Sequence, residues 1–122
     1  MNIQLLPYLF TVAKIDDISL ANLEDEFTFI AQTDDEISLV CKTESTPTIT
    51  NSEEPNWRGL KVCGDLDFSA IGIISRISSI LAAEDIPIFV ISTFNTDYFF
   101  VKQDHLSTAL NTLEDENYII VE

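Results

Sequence analysis

A chain of 122 residues fits one ordinary domain or two very small ones, and it can bury roughly two thirds of its unfolded surface without metal or disulfide staples. Six Lys plus Arg against 21 Asp plus Glu leave a net charge of −15, which repels phosphate backbones and argues against a nucleic-acid partner. No apolar run reaches the roughly twenty residues of a membrane span and the N-terminus lacks the basic stretch of a secretory signal, so the expectation is a cytoplasmic protein with no membrane partner.

Residues 5–15 are largely apolar and broken only by Pro7, which predicts an edge or bent strand. A short helical turn is expected over 19–26. Strands are expected over 27–32 and 37–42, joined by the turn-rich Thr33-Asp34-Asp35-Glu36. Residues 43–55, rich in Ser, Thr, Pro and Glu with no apolar stripe, predict a linker or long loop, and a subdomain boundary is placed near residue 54. Beyond it, the run 60–62 stops at Gly64 and a polar loop containing Asp65, Asp67 and Ser69. Ala70, Ile73, Ile74, Ile77, Ile80 and Leu81 then recur at spacings of three and four, predicting a helix over 69–83 that buries one face. The β-branched and aromatic runs 86–91 and 98–101 predict strands. Leu106, Ala109, Leu110 and Leu113 make one stripe of a helix over 103–114, and 118–121 predicts a last strand. The second half thus reads β-α-β-β-α-β. Its strand over 86–91 is apolar on both alternating faces, so covered edges are expected, through a homodimer or by pairing of the two halves.

Two polar interruptions are candidate sites. At the first, capping of the new helix by Asp67 or Ser69 explains the polar residues. Gly72 costs about 1 kcal/mol within a first helical turn, so it implies either close packing of the helix on the sheet or close approach of backbone or ligand. At the second, Thr93-Phe94-Asn95-Thr96-Asp97 is longer and more polar than strand pairing requires. It is either a turn in which Asn95 and Asp97 bond their own backbone or a ligand wall. His105 has no nucleophile or metal motif around it and reads as a solvated or capping residue. Trp57 reads as a seal at the subdomain junction. Cys41 and Cys63 are at no metal-ligand spacing and read as small buried hydrophobes. There is no Gly-rich phosphate loop, HExxH or nucleophile elbow, and neither an enzyme nor a cofactor is expected.

Three stretches carry a resemblance: W-R-G-L-K-V-C-G-D-L-D-F-S-x-x-G-I over 57–73, I-S-T-F-N-T-D-Y over 91–98, and T-D-D-E-I-S-L-V-C over 33–41. They resemble the ACT domain family, and more narrowly the small bacterial tandem-ACT proteins similar to the CASTOR-type arginine-sensor ACT domains. The resemblance implies an α+β, ferredoxin-like fold with antiparallel sheets in tandem or pseudo-tandem halves: a degenerate ACT-like half over 1–54 and an ACT domain over 55–122. It also implies a non-enzymatic regulatory module that binds an amino acid in a cleft between ACT units. Carried over residue by residue, Ile71, Gly72 and Ile73 would offer backbone groups, Thr93 and Phe94 backbone or packing contacts, and Asp97 a partner for a cation. Asp67, Ser69, Asn95 and Thr96 complete the candidate site.

The chain departs from that family's pattern at two helix ends. Glu84-Asp85-Ile86 stands where related sequences often place Gly, and Glu116-Asn117-Tyr118 replaces a Gly-Tyr stop. The charge balance favours a cationic amino acid, arginine or lysine. The competing expectation is a structural dimerisation or adaptor protein whose polar loops are plain turns.

Overall fold

The computed structural model describes residues 1–64 and 72–122. They form seven strands and two α-helices in the order β1 (Asn2–Ile15), β2 (Phe29–Gln32), β3 (Ile37–Lys42), β4 (Ser52–Val62), α1 (Ile73–Ala82), β5 (Ile88–Ser92), β6 (Asp97–Lys102), α2 (Leu106–Asp115) and β7 (Ile119–Val121). From β4 onward the order is the expected β-α-β-β-α-β, and the fold is α+β. The chain groups into two compact units, Met1–Pro7 with Arg58–Glu122, and Tyr8–Trp57. β1 and β4 each give residues to both, so the position near residue 54 falls inside a strand.

In the larger unit the strand order is β1-β4-β6-β5, with β7 running parallel to the start of β1 through the pairs Asn2↔Ile119 and Gln4↔Val121. One sheet face carries both helices. Ile3 and Leu5 of β1, Leu60 and Val62 of β4, and Phe99 and Val101 of β6 alternate inward and meet Ile77 and Leu81 of α1 and Leu106, Ala109 and Leu113 of α2. These buried helical residues are the ones whose spacing of three and four predicted a core-facing stripe. Because side chains alternate along a strand, Phe89 and Phe100, paired in register, lie on the opposite face, where their rings stack at 4.5 Å.

Both helices end in the same device. Asp85 (φ 58°) and Asn117 (φ 71°) take the left-handed conformation just past their helices. The following amides, of Ile86 and Tyr118, donate back to the carbonyls of Leu81 and Leu113, each at 3.1 Å, while Asp85 and Asn117 donate to Ala82 and Glu114. This is the double-bonded cap that usually carries glycine. Ile86 is consumed in the cap and Pro87 follows, so β5 begins at Ile88, two residues later than its apolar pattern predicts. Asn tolerates this conformation, whereas Asp adds a carboxylate at the negative end of the helix. Asp85→Gly is therefore expected to stabilise the protein by about 0.5–1 kcal/mol, after the extra chain entropy of glycine is subtracted. Scanning calorimetry should register this as a Tm higher by a few degrees; a Tm that stays put or falls would refute it.

The smaller unit has no α-helix. Asp17 caps a single 3-10 turn, Ile18–Leu20, in place of the helical turn expected over 19–26. β2 starts at Phe29, two residues later than expected, and Phe27 just before it is left-handed (φ 57°). The stretch 43–55 is not all loop: it contains a 3-10 turn, Thr43–Ser45, and the first residues of β4. Residues 52–56 are exposed, so no apolar alternation marks them as strand. The pairing is made by backbone instead, and the Asn51 amide donates to the Lys14 carbonyl at 2.8 Å. Ala13, Ile15, Leu39 and Cys41 form this unit's small core. Cys63, by contrast, is half-buried rather than buried.

The hairpins β2–β3 and β5–β6 are copies of one another sixty positions apart: Phe29 pairs Val40 and Gln32 pairs Ile37, as Phe89 pairs Phe100 and Ser92 pairs Asp97. Each closes with a threonine amide donating to the carbonyl three residues on, Thr33 to Glu36 and Thr93 to Thr96. Each is followed directly by a 3-10 turn.

Below the first hairpin, the Lys42 ammonium lies 4.2 Å from the Tyr8 ring centroid and 3.3 Å from Asp25. The Ser45 hydroxyl also donates to Asp25. The Ser45 hydrogen bond is the main reason the Asp25 carboxyl titrates below its ordinary value; partial burial opposes it and Lys42 adds to it. Burial works against the Lys42 charge, but the hydrogen bond and charge of Asp25, with Tyr8 and Glu26, outweigh it and hold the ammonium above its ordinary value. A depressed Asp25 supplies stability above its unfolded pKa of about 3.9, and this is lost as pH falls through the lower folded value. A raised Lys42 supplies stability below about 10.4 that is lost as pH rises through the higher folded value. Urea midpoints followed from neutral pH into acid should therefore fall less steeply in Asp25→Asn than in the parent; parallel curves would refute the coupling.

Candidate functional site

The larger unit gathers its loops at one end of its sheet. β4 leaves the sheet there at Val62, and the Cys63 amide donates to the Asn2 carbonyl at 2.9 Å, which puts the start of β1 beside the end of β4. The β5–β6 turn is tied to the same place, because the buried Thr96 hydroxyl donates to the Val62 carbonyl. β7 begins there as well, with the Ile119 amide donating to the Met1 carbonyl at 3.0 Å.

At this end lies a cavity of about 370 Å³ lined by Met1, Gly72, Ile73, Arg76, Glu116, Asn117 and Tyr118. Its walls are the first turn of α1 and the cap that ends α2. Gly72 is the residue that caps α1 and lies outside the first turn, so the helix-interior cost expected of it does not arise. Its φ of 79° is what calls for glycine. Close packing on the sheet is not the reason, since a Cβ there would meet nothing within 4 Å among the described residues. A non-glycine residue at 72 would be strained by its backbone and would not collide.

Of the ten candidate residues, Gly72 and Ile73 line the cavity. Asp67, Ser69 and Ile71 lie outside the described residues. Thr93, Phe94, Asn95, Thr96 and Asp97 make the β5–β6 turn and do not line the cavity. The turn is held by its threonines and not by Asn95. Thr93 Oγ1 donates to the Thr96 carbonyl at 3.0 Å and accepts the Thr96 amide at 3.3 Å. Asp97 is partly buried and accepts the Ser92 hydroxyl across the hairpin. Phe94, at the tip, is 83% exposed. His105 occupies the cap position of α2, but its side chain makes no capping bond.

Arg76 and Glu116 escape sequence reasoning. They are forty positions apart, belong to no motif, and become neighbours of one space only because α1 starts where α2 ends. A second T-x-x-[TE] stretch at 33–36 was the available signal for the threonine-tied turn.

The ACT domain family model matches residues 52–115, which runs from the start of β4 to the last residue of α2. This chain belongs to the ACT domain family. Its relatives include the cytosolic arginine sensor for mTORC1 subunit 1 of Rattus norvegicus, 36% identical over 67 residues that cover 54% of this chain and 20% of that protein. The human protein matches at the same identity and coverage. The chain thus spans about a fifth of the length of these relatives. Among solved structures, a protein from Agobacterium tumefaciens superposes with a TM-score of 0.87 at 27% identity, covering 98% of this chain and 91% of that one. The ligand-free regulatory subunit of aspartate kinase from Thermus thermophilus shares the fold, with a TM-score of 0.61 at 9% identity over 93% of this chain and 95% of its own.

Among the described residues no helix is long and apolar enough to cross a membrane, and no group of His, Cys, Asp and Glu is arranged to hold a metal ion.

Proposed function

We propose that this ACT-family protein is a non-enzymatic, cytoplasmic regulatory module that binds a free amino acid at the end of the larger unit where β4, α1 and the β5–β6 turn converge. The observation that carries the reading is the roughly 370 Å³ cavity at the α1 start, within the usual size range of small-molecule pockets. The relation to an arginine sensor supports an amino acid as the ligand class. In this reading Gly72 and Ile73 meet the ligand in the cavity, and Asp67, Ser69, Ile71, Thr93, Phe94, Asn95, Thr96 and Asp97 would complete the site beside it. The net charge of −15 and the Asp97 carboxylate favour arginine or lysine. Residues 1–54 would be a degenerate ACT-like half, a reading supported by the repeated hairpin. A second protomer would supply the facing ACT unit of a full cleft.

A thermal-shift screen of the twenty amino acids tests this directly, because a ligand of the native state raises Tm by mass action. Calorimetry on a hit should show affinity lost in Asp97→Ala with the circular dichroism spectrum kept. No shift with any amino acid at millimolar concentration would remove the reading.

A structural dimerisation module is the second reading, and the last strand in the sheet order favours it. β5 carries no charged residue, and Val90 on it is 37% exposed. Such strands are normally blunted by Lys or Pro unless they are covered. Sedimentation should then show a dimer that Val90→Lys dissociates, with no amino acid altering Tm.

A further inference from the structure

We infer that Arg76 and Glu116 are the groups that recognise the two main-chain charges of an α-amino acid, Arg76 taking its carboxylate and Glu116 its ammonium. The inference rests on the amino-acid reading above and deepens it by assigning the polar residues of the cavity. Both residues line the same space from different elements, α1 and the end of α2. They are of opposite sign and do not close on each other: the ion pair found among the described residues joins Lys42 to Asp25. The rest of the wall comes from Met1, Gly72, Ile73, Asn117 and Tyr118 and, Asn117 aside, is largely apolar.

A guanidinium presents a planar fork of N–H donors that matches a carboxylate, and a glutamate offers only acceptors, which suit an ammonium. An acid and a base facing one small space therefore select a molecule that carries both charges. A simple amine would leave Arg76 without its partner, and a simple carboxylic acid would leave Glu116 without one. The ligand class is thus an α-amino acid zwitterion, whatever its side chain. Apolar walls with a few converging polar groups are the usual build of a small-molecule site. The assignment differs from that of Asp97, whose proposed partner is a basic side chain or amine and which does not line this cavity.

Calorimetry on the full chain with L-arginine, agmatine (no carboxylate) and Nα-acetyl-L-arginine (no α-ammonium) tests it, with L-leucine as a second zwitterion. Arg76→Gln is expected to weaken L-arginine and L-leucine at least tenfold and to leave agmatine unchanged. Glu116→Gln is expected to weaken both amino acids and to leave Nα-acetyl-L-arginine unchanged. Both positions are exposed, so both variants should fold, which circular dichroism checks. Affinities for L-arginine and L-leucine within twofold of the parent in both variants would overturn the assignment, and so would equal weakening of agmatine by Arg76→Gln. If Asp97→Ala still abolished amino-acid binding in that case, the function proposed above would stand without these two residues. If neither L-arginine nor L-leucine bound the parent protein, the assignment would fall.

Discussion

Phe99→Ala is expected to cost about 3–5 kcal/mol, the usual range for removing a buried phenylalanine ring. The ring is fully buried on the helix-facing side of β6, among residues from β1, β4 and both helices. The cost has two parts: the transfer of the ring back toward water and the hole left among side chains that relax only partly. Because native proteins of this size are stable by about 5–15 kcal/mol, the loss is a large share of the total. Tm should drop by more than about 10 °C, and the urea midpoint should fall with little change in slope. Phe94→Ala is the control. The same side chain at 83% exposure buries little, so its loss should stay within about 0.5 kcal/mol. Equal effects at the two positions would mean that the sheet–helix core is not organised around Phe99.

The contrast between these two phenylalanines marks what the sequence made legible. The burial of Phe99 is legible because it stands in the continuous apolar run 98–101. That of Ile77, Leu81, Leu106, Ala109 and Leu113 is legible from their helical spacing. Periodicity reports burial, however, and it fails where backbone geometry decides. Nothing about Phe27 announces a positive φ, since the preference for that conformation belongs to glycine, asparagine and aspartate. The first residues of β4 are invisible for the opposite reason: they are exposed, so no apolar alternation marks them as strand. Which strands lie together is not local information at all. Met1–Pro7 group with Arg58–Glu122 because β1 pairs with β4 and β7, and no residue in the first seven encodes that choice by itself.

The candidate site divides along the same line. Gly72 was conspicuous because glycine is costly in a helix, yet it serves as a left-handed cap at the cavity wall. The polar turn after β5 was conspicuous because it is long, and the family resemblance singled out Asp97 within it. The residue that fixes the turn to the end of β4 is Thr96, whose role depends on a carbonyl 34 positions earlier in the chain. Arg76 and Glu116 were hidden because only the antiparallel packing of α1 and α2 brings the start of one helix to the end of the other.

Thr96→Val should destabilise the protein by about 1–2 kcal/mol, because it replaces the hydroxyl with a methyl group of similar size. The side chain is 7% exposed, so the space it fills is conserved while the donor to the Val62 carbonyl is lost. Thr93→Val is the companion change. It removes an acceptor for the Thr96 amide and a donor to the Thr96 carbonyl, but at a half-buried position where water can replace part of both. Its cost should therefore be smaller, below about 1 kcal/mol. Urea denaturation of both variants measures the difference, and Thr96→Ser, which keeps the hydroxyl, should recover most of the loss. If Thr96→Val were as stable as the parent, the hydrogen bond to Val62 would contribute nothing net. The β5–β6 turn would then be held by Thr93 alone, and Asp97 would be placed by the hairpin register with Ser92 and not by the end of β4.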